Sequence, residues 1–431
     1  MLASNPVKEL EGVEEDLDNV FYDSQRKTKF LKSAVIYGAN GSGKSNLLAA
    51  INFFKMFIQR SSERLAEDEI NVTPFLFSSE TENQPSSFEM VFMIDKTRYR
   101  YGFEATKKEI VSEWLFILNS EITTKESYCF TREYQEIKVN SKTFKEGKGV
   151  EQRTRRNVLF LSSVAQWNGE KALAIQKWFF ANMNVISGIN NDTEGYTMQK
   201  FLENTSFRKR IINFIKLADV GIEDIRIEEE IISGFISKIP VHKQNENINL
   251  LIDELQKSID KELVINAYHN KQNEVKNIIG LIGLKFEMES AGTRKLFALL
   301  GPWFDTLENG NVLIIDELDC SMHTKLTTEL IKVFQSKANK TNAQLIFTTH
   351  DTNLLRNDLF RRDQIWFTEK NNETGNSDLY SLVEYKINQA ASVRNDASFG
   401  KDYLLGKYGA IPYFGNISQF INDFAKDIEH E

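Results

Sequence analysis

Apolar and polar stretches alternate along the first 125 residues in a way that predicts several strands and one helix. Residues 34–37 form an unbroken apolar run, the pattern of a strand buried on both faces. Residues 46–51 follow a glycine-rich stretch and read as the first turns of a helix. The aromatic and β-branched runs at 88–94 and 98–104 flank a short polar turn and predict a hairpin, to which 110–118 adds a third strand.

The pattern changes from about residue 125. Before this point, polar residues with two prolines predict a loop at 61–87. After it, charged residues with two glycines predict an exposed loop at 140–157. Helical spacing then dominates, and two further strands joined by a polar turn precede residue 290. The predicted helices lie at 165–180, 198–217 and 248–258, and the predicted strands at 263–269 and 279–288.

Helices and apolar strands alternate again near the end of the chain. This alternation is typical of an α/β fold with a parallel sheet. The sequence therefore predicts a split α/β fold, in which 1–124 and 281–431 are the two halves and 125–280 is a mixed, mostly helical insertion. The predicted elements of the second half are helices at 293–307 and 324–338 and strands at 312–315 and 344–348.

Composition narrows the class of protein without naming an activity. Of the 431 residues, 41% are hydrophobic and 26% charged, as in ordinary soluble globular proteins. The N-terminus has no basic region before an apolar core, and two cysteines, Cys129 and Cys320, lack metal-ligand spacing, so we expect a cytoplasmic protein. The net charge of −8 argues against nucleic acid wrapping the whole surface, but a local basic groove stays open.

Residues 38–45 carry the most specific chemical signal in the chain. They read Gly-Ala-Asn-Gly-Ser-Gly-Lys-Ser, the P-loop pattern G-x-x-x-x-G-K-[ST], placed between a predicted strand and a predicted helix. Loop amides and a helix N-terminus gather positive partial charge where phosphates bind. Lys44 should reach the β- and γ-phosphates of ATP, and Ser45 should hold Mg²⁺. The predicted nucleotide-binding residues of this loop are Gly38, Asn40, Gly41, Ser42, Gly43, Lys44 and Ser45.

Two later strands end in residues that suit ATP hydrolysis. The strand at 312–315 runs into Asp316 and Glu317, the Walker B arrangement, and ligands of parallel sheets bind at the carboxyl ends of strands. Asp316 should hold Mg²⁺, and Glu317 should orient or deprotonate the attacking water. His350 follows the strand at 344–348 and is a candidate contact for the γ-phosphate. The plainer alternatives are a solvated acidic turn and a structural histidine at a strand end.

A second candidate anion site opens the helix at 293–307. Ser290 and the amide of Gly292 stand about 25 residues before Asp316, at a helix start that favours negative charge. The alternative is an ordinary serine N-cap, which needs no ligand.

The order of these motifs resembles ABC-type ATPase heads of the SMC, Rad50 and overcoming-lysogenization-defect (OLD) group. The stretch Asp316-Glu317-Leu318-Asp319, followed by Ser321 and His323, is similar to OLD-type heads. Other stretches resemble the AAA15 ATPases of bacterial phage-defence operons, and the resemblance spans most of the chain. These stretches are residues 31–38, 98–103, 290–293, 350–355 and 407–412.

The resemblance implies an ABC-type P-loop ATPase head that uses ATP and Mg²⁺. It implies a two-fold dimer with ATP between two heads, so that Ser290 and Gly292 of one chain complete the site of another. It also implies a sensor or gating subunit of an anti-phage defence system, acting with a separate effector such as a TOPRIM-type nuclease. A larger assembly, a phage-encoded trigger and contact with nucleic acid stay open, and no membrane partner is expected.

The chain departs from its resemblances in ways that bear on function. Such heads usually begin with a strand pair upstream of the first residues here, and Ser-Ala-Gly-Thr stands in place of the transporter signature LSGGQ. After His350 there is no acidic cluster of the TOPRIM kind, so a nuclease is expected on another chain. Arg153, Arg155 and Arg156 could contact a partner or nucleic acid, or could be solvated surface. The alternative functions are a DNA-repair or chromosome-maintenance ATPase, disfavoured by the absence of a long coiled coil, and a transporter energy module.

Overall fold

The computed structural model describes residues 18–22, 29–119, 125–187, 193–218, 220–231, 261–387, 391–394, 397–412, 417 and 419–421. Contacts divide the chain into two compact units. The first comprises 1–190, 306–319 and 327–431, and the second comprises 191–305 and 320–326. The three predicted segments have other boundaries, and their standing as domains stays a prediction. The predicted helix at 248–258 lies outside the described residues.

A six-stranded sheet forms the centre of the first unit. Its order is β16-β15-β3-β14-β13-β9, with every neighbouring pair parallel except β15 and β16. Strand β9 comes from within the predicted insertion, so that segment supplies part of the central sheet. The strands are β3 (Ser33–Gly38), β9 (Met183–Ile186), β13 (Val312–Ile315), β14 (Gln344–Thr348), β15 (Ile365–Lys370) and β16 (Ser377–Ser381). Two small ribbons pair β1 (Val20–Tyr22) with β2 (Lys29–Leu31) and β17 (Lys386–Ile387) with β18 (Ala391–Ser392).

A five-stranded antiparallel sheet forms the second layer of this unit. Its strands follow one another in chain order, and the first two make the hairpin expected around Asp95-Lys96. The strands are β4 (Ser86–Ile94), β5 (Thr97–Ala105), β6 (Ile110–Asn119), β7 (Ser127–Glu133) and β8 (Glu136–Val139). The sheet therefore runs beyond the position at which the composition changes.

Helix α1 (Lys44–Arg60) joins the two sheets through one hydrophobic core. The core contains Leu48 and Phe54 of α1, Ile36 and Ile314 of the central sheet, and Phe103 of the antiparallel sheet. The rings of Phe54 and Phe103 stack with centroids 5.4 Å apart. Burial of each such side chain contributes about 1.5–3 kcal/mol, so the core fixes the position of the helix that begins at Lys44.

The predicted helix at 165–180 is interrupted. Helix α2 (Phe160–Gln166) ends before Asn168, whose φ of 62° is left-handed, and α3 (Glu170–Asn182) begins two residues later. A Cβ atom on Gly169 would lie 2.4 Å from Val164 Cγ1, so the chain turns too tightly there for a larger residue. The helical spacing continues across the break, which is why the pattern alone missed it.

The second unit also replaces one predicted helix, at 198–217, by two. Helix α4 (Thr193–Glu203) and α5 (Thr205–Leu217) meet at Asn204, whose Oδ1 accepts hydrogen bonds from the amides of Ser206 and Phe207. Asparagine is a favoured N-cap because this contact satisfies otherwise unpaired donors. The second unit also contains a three-stranded antiparallel sheet of β10 (Ile222–Ile231), β11 (Lys261–Gln272) and β12 (Ile278–Lys285).

Three further α-helices lie in the second half of the chain. Helices α6 (Ala291–Asn309) and α7 (Thr324–Gln335) each contribute residues to both units, and α8 (Phe399–Leu404) belongs to the first. Within the second unit, Thr197 Oγ1 donates to the carbonyl of Ala298 at 2.7 Å, and Gly301 leaves room for this close approach.

Among the described residues, none of the helices has the length and apolar character that crossing a membrane requires.

Candidate nucleotide site

The P-loop lies between β3 and α1, as the sequence predicts. All six residues of β3 are buried, and α1 begins at Lys44 directly after Gly43, whose φ is 108°. That conformation is open to glycine and strained for other residues. Ser45 in the first turn of α1 is exposed. The first turn of a helix has backbone amides without intrahelical partners, an arrangement that suits phosphate groups.

The side chain of Lys44 lies over the loop that precedes it. Its Nζ donates hydrogen bonds to the carbonyl oxygens of Gly38 at 2.8 Å and Ala39 at 3.1 Å, and the residue is only 6% exposed. These two bonds fix the ammonium group of Lys44 against the backbone of the P-loop, where we expect phosphate to bind.

The loop is anchored from β15 by a residue that sequence reasoning missed. Thr368 Oγ1 shares a hydrogen bond of 2.7 Å with Ser42 Oγ, and both side chains are buried. A Cβ atom on Gly38 would lie 2.3 Å from Thr368 Oγ1, so glycine is required for this close contact. No local pattern marks Thr368, because only the pairing of β15 with β3 brings it to the loop.

The Walker B acids are held through a second missed residue, Thr348. Asp316 and Glu317 follow β13, and β14 lies between that strand and β3. The buried hydroxyl of Thr348, the last residue of β14, donates to Asp316 Oδ1 at 2.6 Å and accepts from the amide of Glu317 at 2.8 Å. One threonine therefore fixes the carboxylate and the following backbone. A polar residue that ends an apolar strand was the available signal.

Glu317 has an unusual backbone conformation. Its φ is 49°, in the left-handed region that residues other than glycine adopt uncommonly, and its side chain is exposed. The bond from its amide to Thr348 holds the backbone in this conformation. Such conformations concentrate at functional sites, where the surrounding structure maintains them.

The charges of the site interact with one another. Burial lowers the pKa of Lys44, whereas the carboxylates of Asp316, Glu317 and Asp319 raise it. Solvent reaches His350, yet partial burial lowers the pKa of its imidazole, and the positive charge of Lys44 lowers it further against the same three carboxylates. The first unit thus brings Lys44, the Walker B acids and His350 into one electrostatic cluster at the carboxyl edge of its sheet.

Asp319 is a third acid of this cluster that sequence reasoning did not assign. Within the described ranges, its Oδ1 is buried and accepts no hydrogen bond. Its charge acts on both Lys44 and His350. The signal was present in the sequence, two residues after Glu317, but the spacing alone gave it no role.

Ser290 and Gly292 belong to the second unit and show a local structural role there. Ser290 Oγ accepts a hydrogen bond from the amide of Thr293 at 3.1 Å, which is the serine N-cap considered as the alternative. A Cβ atom on Gly292 would lie 2.4 Å from the carbonyl oxygen of Ser321, so this position needs glycine. A role for these residues in binding nucleotide stays a prediction.

The residues present fit a magnesium–nucleotide complex. Mg²⁺ prefers oxygen ligands and is usually held by one or two protein side chains together with substrate phosphates and water. The Ser45 hydroxyl and the Asp316 carboxylate offer oxygen atoms of this kind. In the part of the chain described, no cluster of three or more His, Cys, Asp or Glu side chains could bind a metal ion.

At Gly41, with φ of 75°, a Cβ would meet no atom within 4 Å, so the loop is open on this side.

A parallel sheet with a glycine-rich loop after one strand and acids after another defines a P-loop protein of the mixed α/β class. The chain belongs to the family described as "AAA domain, putative AbiEii toxin, Type IV TA system", whose model matches residues 33–356. It is therefore an ATPase-family protein, and the family implies nucleotide binding. The finer assignment to AAA15 or OLD-type proteins stays a prediction. Comparison with curated proteins gave no match.

Several solved structures are similar to this chain. An SMC head bound to the C-terminal winged-helix domain of ScpA is 14% identical, with 82% of this chain and 92% of that chain covered and a TM-score of 0.37. The SMC head domain from Thermotoga maritima is 13% identical over the same shares, with a TM-score of 0.36. RecF with ATP, the recombination mediator of the RecFOR pathway, is 13% identical over 84% and 95%, with a TM-score of 0.27. At these scores the family assignment rests on the family model.

We predict that Lys44→Met raises the pKa of His350. Removing the lysine removes a positive charge that disfavours the imidazolium, so the titration midpoint moves to higher pH. Proton NMR of the ring resonances in the nucleotide-free protein, which has five histidines, measures this directly. Lys337→Met, at an exposed position, is the matched control and should leave the midpoint unchanged. A midpoint that stays fixed or falls in Lys44→Met would contradict the cluster.

We also predict that Thr348→Val lowers ATP turnover roughly 10- to 100-fold, the usual effect of removing a group that orients a metal ligand. Valine keeps the shape but loses both hydrogen bonds to the Walker B segment. The half-saturating Mg²⁺ concentration should rise in the same assay. Thr348→Ser restores the hydroxyl and should recover most of the turnover. Equal losses in the valine and serine variants would show that packing, rather than the hydroxyl, matters.

Proposed function

We propose that this chain is an ABC-type ATPase that binds and hydrolyses Mg·ATP and serves as the sensor or gating subunit of an anti-phage defence system with a separate effector. The observation that carries the ATPase part is the convergence of Lys44, Asp316, Glu317 and His350 at one edge of the central sheet. The family assignment supports the same activity. The defence role rests on the sequence resemblance.

Each side chain has a distinct task in the proposed reaction. Lys44 and the loop amides bind and orient the β- and γ-phosphates. The attacking water then lies in line with the bond between the γ-phosphorus and the β–γ bridging oxygen, which is the bond that breaks. Ser45 and Asp316 would hold Mg²⁺, which supplies positive charge to the phosphate oxygens. Glu317 orients that water and accepts its proton.

His350 is proposed to contact the γ-phosphate as a neutral hydrogen-bond donor. Its lowered pKa keeps the imidazole neutral at neutral pH, with one N–H available as a hydrogen-bond donor. We propose that this N–H contacts a γ-phosphate oxygen. The negative charge of the nucleotide then favours the protonated ring, so His350 reports whether the γ-phosphate is present.

We predict that Glu317→Gln retains ATP binding and loses turnover by about 10²-fold or more, because glutamine keeps the size but accepts no proton. Lys44→Ala should instead weaken binding itself, since it removes the cation beside the phosphates. Equilibrium titration and steady-state phosphate release separate the two effects. Glu329→Gln, at an exposed position of α7, is the matched control and should behave as the unsubstituted protein. Normal turnover in Glu317→Gln would contradict its assignment as the base.

We further propose that two chains share two ATP molecules across a two-fold interface. Ser290 and Gly292 at the start of α6 would supply the second set of phosphate contacts from the partner copy, and an isologous dimer is the commonest closed assembly. The Glu317→Gln variant allows this to be tested because bound ATP persists. Light scattering should give the mass of two chains with Mg·ATP, and a strictly monomeric protein would refute the shared site.

The separate effector is supported by the chemistry that the chain already carries. Cleavage of phosphodiesters usually needs metal ions held by convergent carboxylates, and Asp316 and Glu317 are committed to ATP in this proposal. The family description names a toxin of a type IV toxin–antitoxin system, which supports a role within a system of more than one component.

We therefore predict that the purified chain hydrolyses ATP and does not cut nucleic acid. Plasmid, linear DNA and tRNA are incubated with the protein, ATP and Mg²⁺ or Mn²⁺, and products are resolved on gels. Co-purification from its native cell should identify a second protein as the effector. Cleavage that persists through purification and disappears on mutating an acid outside the ATP site would overturn the division of labour. Strong stimulation of hydrolysis by DNA would favour the DNA-repair alternative.

A further inference from the structure

A short aromatic segment stands out within the loop that connects α1 to β4. Phe75, Leu76 and Phe77 are three consecutive apolar residues, and Phe77 is 74% exposed. The rings of Phe75 and Phe77 pack edge to face with centroids 5.6 Å apart. Thr81 Oγ1 donates to the carbonyl of Phe75 at 2.8 Å, so the segment is held in a turn. An ordered aromatic ring exposed to this extent has a surface available for stacking.

The segment is linked to the P-loop through the hairpin of β15 and β16. Ser377 begins β16 and lies against the P-loop, since a Cβ on Gly43 would be 3.1 Å from its Oγ. Ser377 pairs across the hairpin with Lys370, and the Nζ atom of Lys370 lies 5.6 Å from the centre of the Phe77 ring. The hairpin therefore contacts the P-loop at one residue and Phe77 at another.

The turn of the same hairpin gives a second contact to Phe77. A Cβ on Gly375 would lie 3.1 Å from Phe77 Cδ2, so glycine lets the ring rest on the backbone there. Gly375 is two residues from Ser377, which is at most about 7 Å along the chain. Both contacts are to the hairpin whose Ser377 lies against Gly43, so the exposed ring lies near the residue that precedes α1.

We infer that Phe77, supported by Phe75, stacks on the base of the nucleotide whose phosphates the P-loop binds. The inference rests on the proposed function and adds a base-binding residue to it. The P-loop recognises phosphates and leaves the base without a partner from the residues assigned so far. An aromatic face is suited to any nucleobase, because stacking needs only a π surface. Lys370 holds the ring from one side through a cation–π contact and leaves its exposed part for the base.

The test compares a ligand that has a base with one that lacks it. ADP and inorganic pyrophosphate, each with Mg²⁺, are titrated calorimetrically into the full chain and its variants. Neither ligand needs the hydrolytic residues. Phe77→Ala should weaken ADP binding about tenfold, within the range of losses measured for base–aromatic stacking, and leave pyrophosphate binding unchanged. Phe180→Ala is the matched control, since Phe180 is 73% exposed on α3, and it should change neither ligand.

A second variant separates stacking from a structural effect. Phe77→Trp should keep ADP affinity, and ADP should quench the fluorescence that the new indole adds to that of the unsubstituted protein. Equal ADP affinities in Phe77→Ala and the unsubstituted chain would overturn the inference. An equal loss for ADP and pyrophosphate would also overturn it, because the substitution would then act through the P-loop. If the unsubstituted chain bound neither ligand, the proposed function itself would fail.

Discussion

The hydroxyl group of Thr348 is the contact on which the site depends. The parallel register of β3, β14 and β13 brings three strand ends to one edge of the sheet. It does not determine the conformation of the residues that follow each strand. The Thr348 hydroxyl fixes the residues after β13, because it donates a hydrogen bond to the Asp316 carboxylate and accepts one from the Glu317 amide. The proposed metal ligand and the proposed base are therefore positioned by the strand that lies between them and the P-loop.

This arrangement also explains how unfavourable features are tolerated at the site. Lys44 is buried, which disfavours its charge, and Glu317 has a left-handed backbone. Three carboxylates partly offset the effect of burial on the pKa of Lys44, and the hydrogen bond that the Glu317 amide donates to Thr348 Oγ1 holds the Glu317 backbone. Binding of a phosphate group would add negative charge next to Lys44 and replace its bonds to loop carbonyls.

The sequence predicted those parts of the structure that local patterns determine. The strand, loop and helix around Lys44 and the strand before Asp316 were found because a glycine pattern and apolar runs lie within a few residues of each other. Thr368 and Thr348 were missed because strand pairing between distant segments brings them to the site. The same reason hides β9, which joins the central sheet from a segment that looked like an insertion.

Helix breaks were missed for a different physical reason. Hydrophobic spacing reports which side of a segment is buried, and it continues through a change of direction. The helices themselves are interrupted at these places. At Gly169 the cause is a close contact with Val164, and at Asn204 it is the N-cap of the next helix. The N-cap contributes about 1 kcal/mol. Neither it nor the tertiary contact at Gly169 changes the pattern of apolar residues.

Hydrogen exchange of the Glu317→Gln variant tests the central claim most directly, because it observes all three strand ends at once. Amide exchange is measured by mass spectrometry without nucleotide, with Mg²⁺ alone and with Mg·ATP. The account predicts that Mg·ATP slows exchange together in residues 39–46, in the Walker B segment 316–319 and at 348–350. Protection confined to the P-loop, or protection elsewhere with none at 316–319 and 348–350, would contradict a single phosphate site built on these strands.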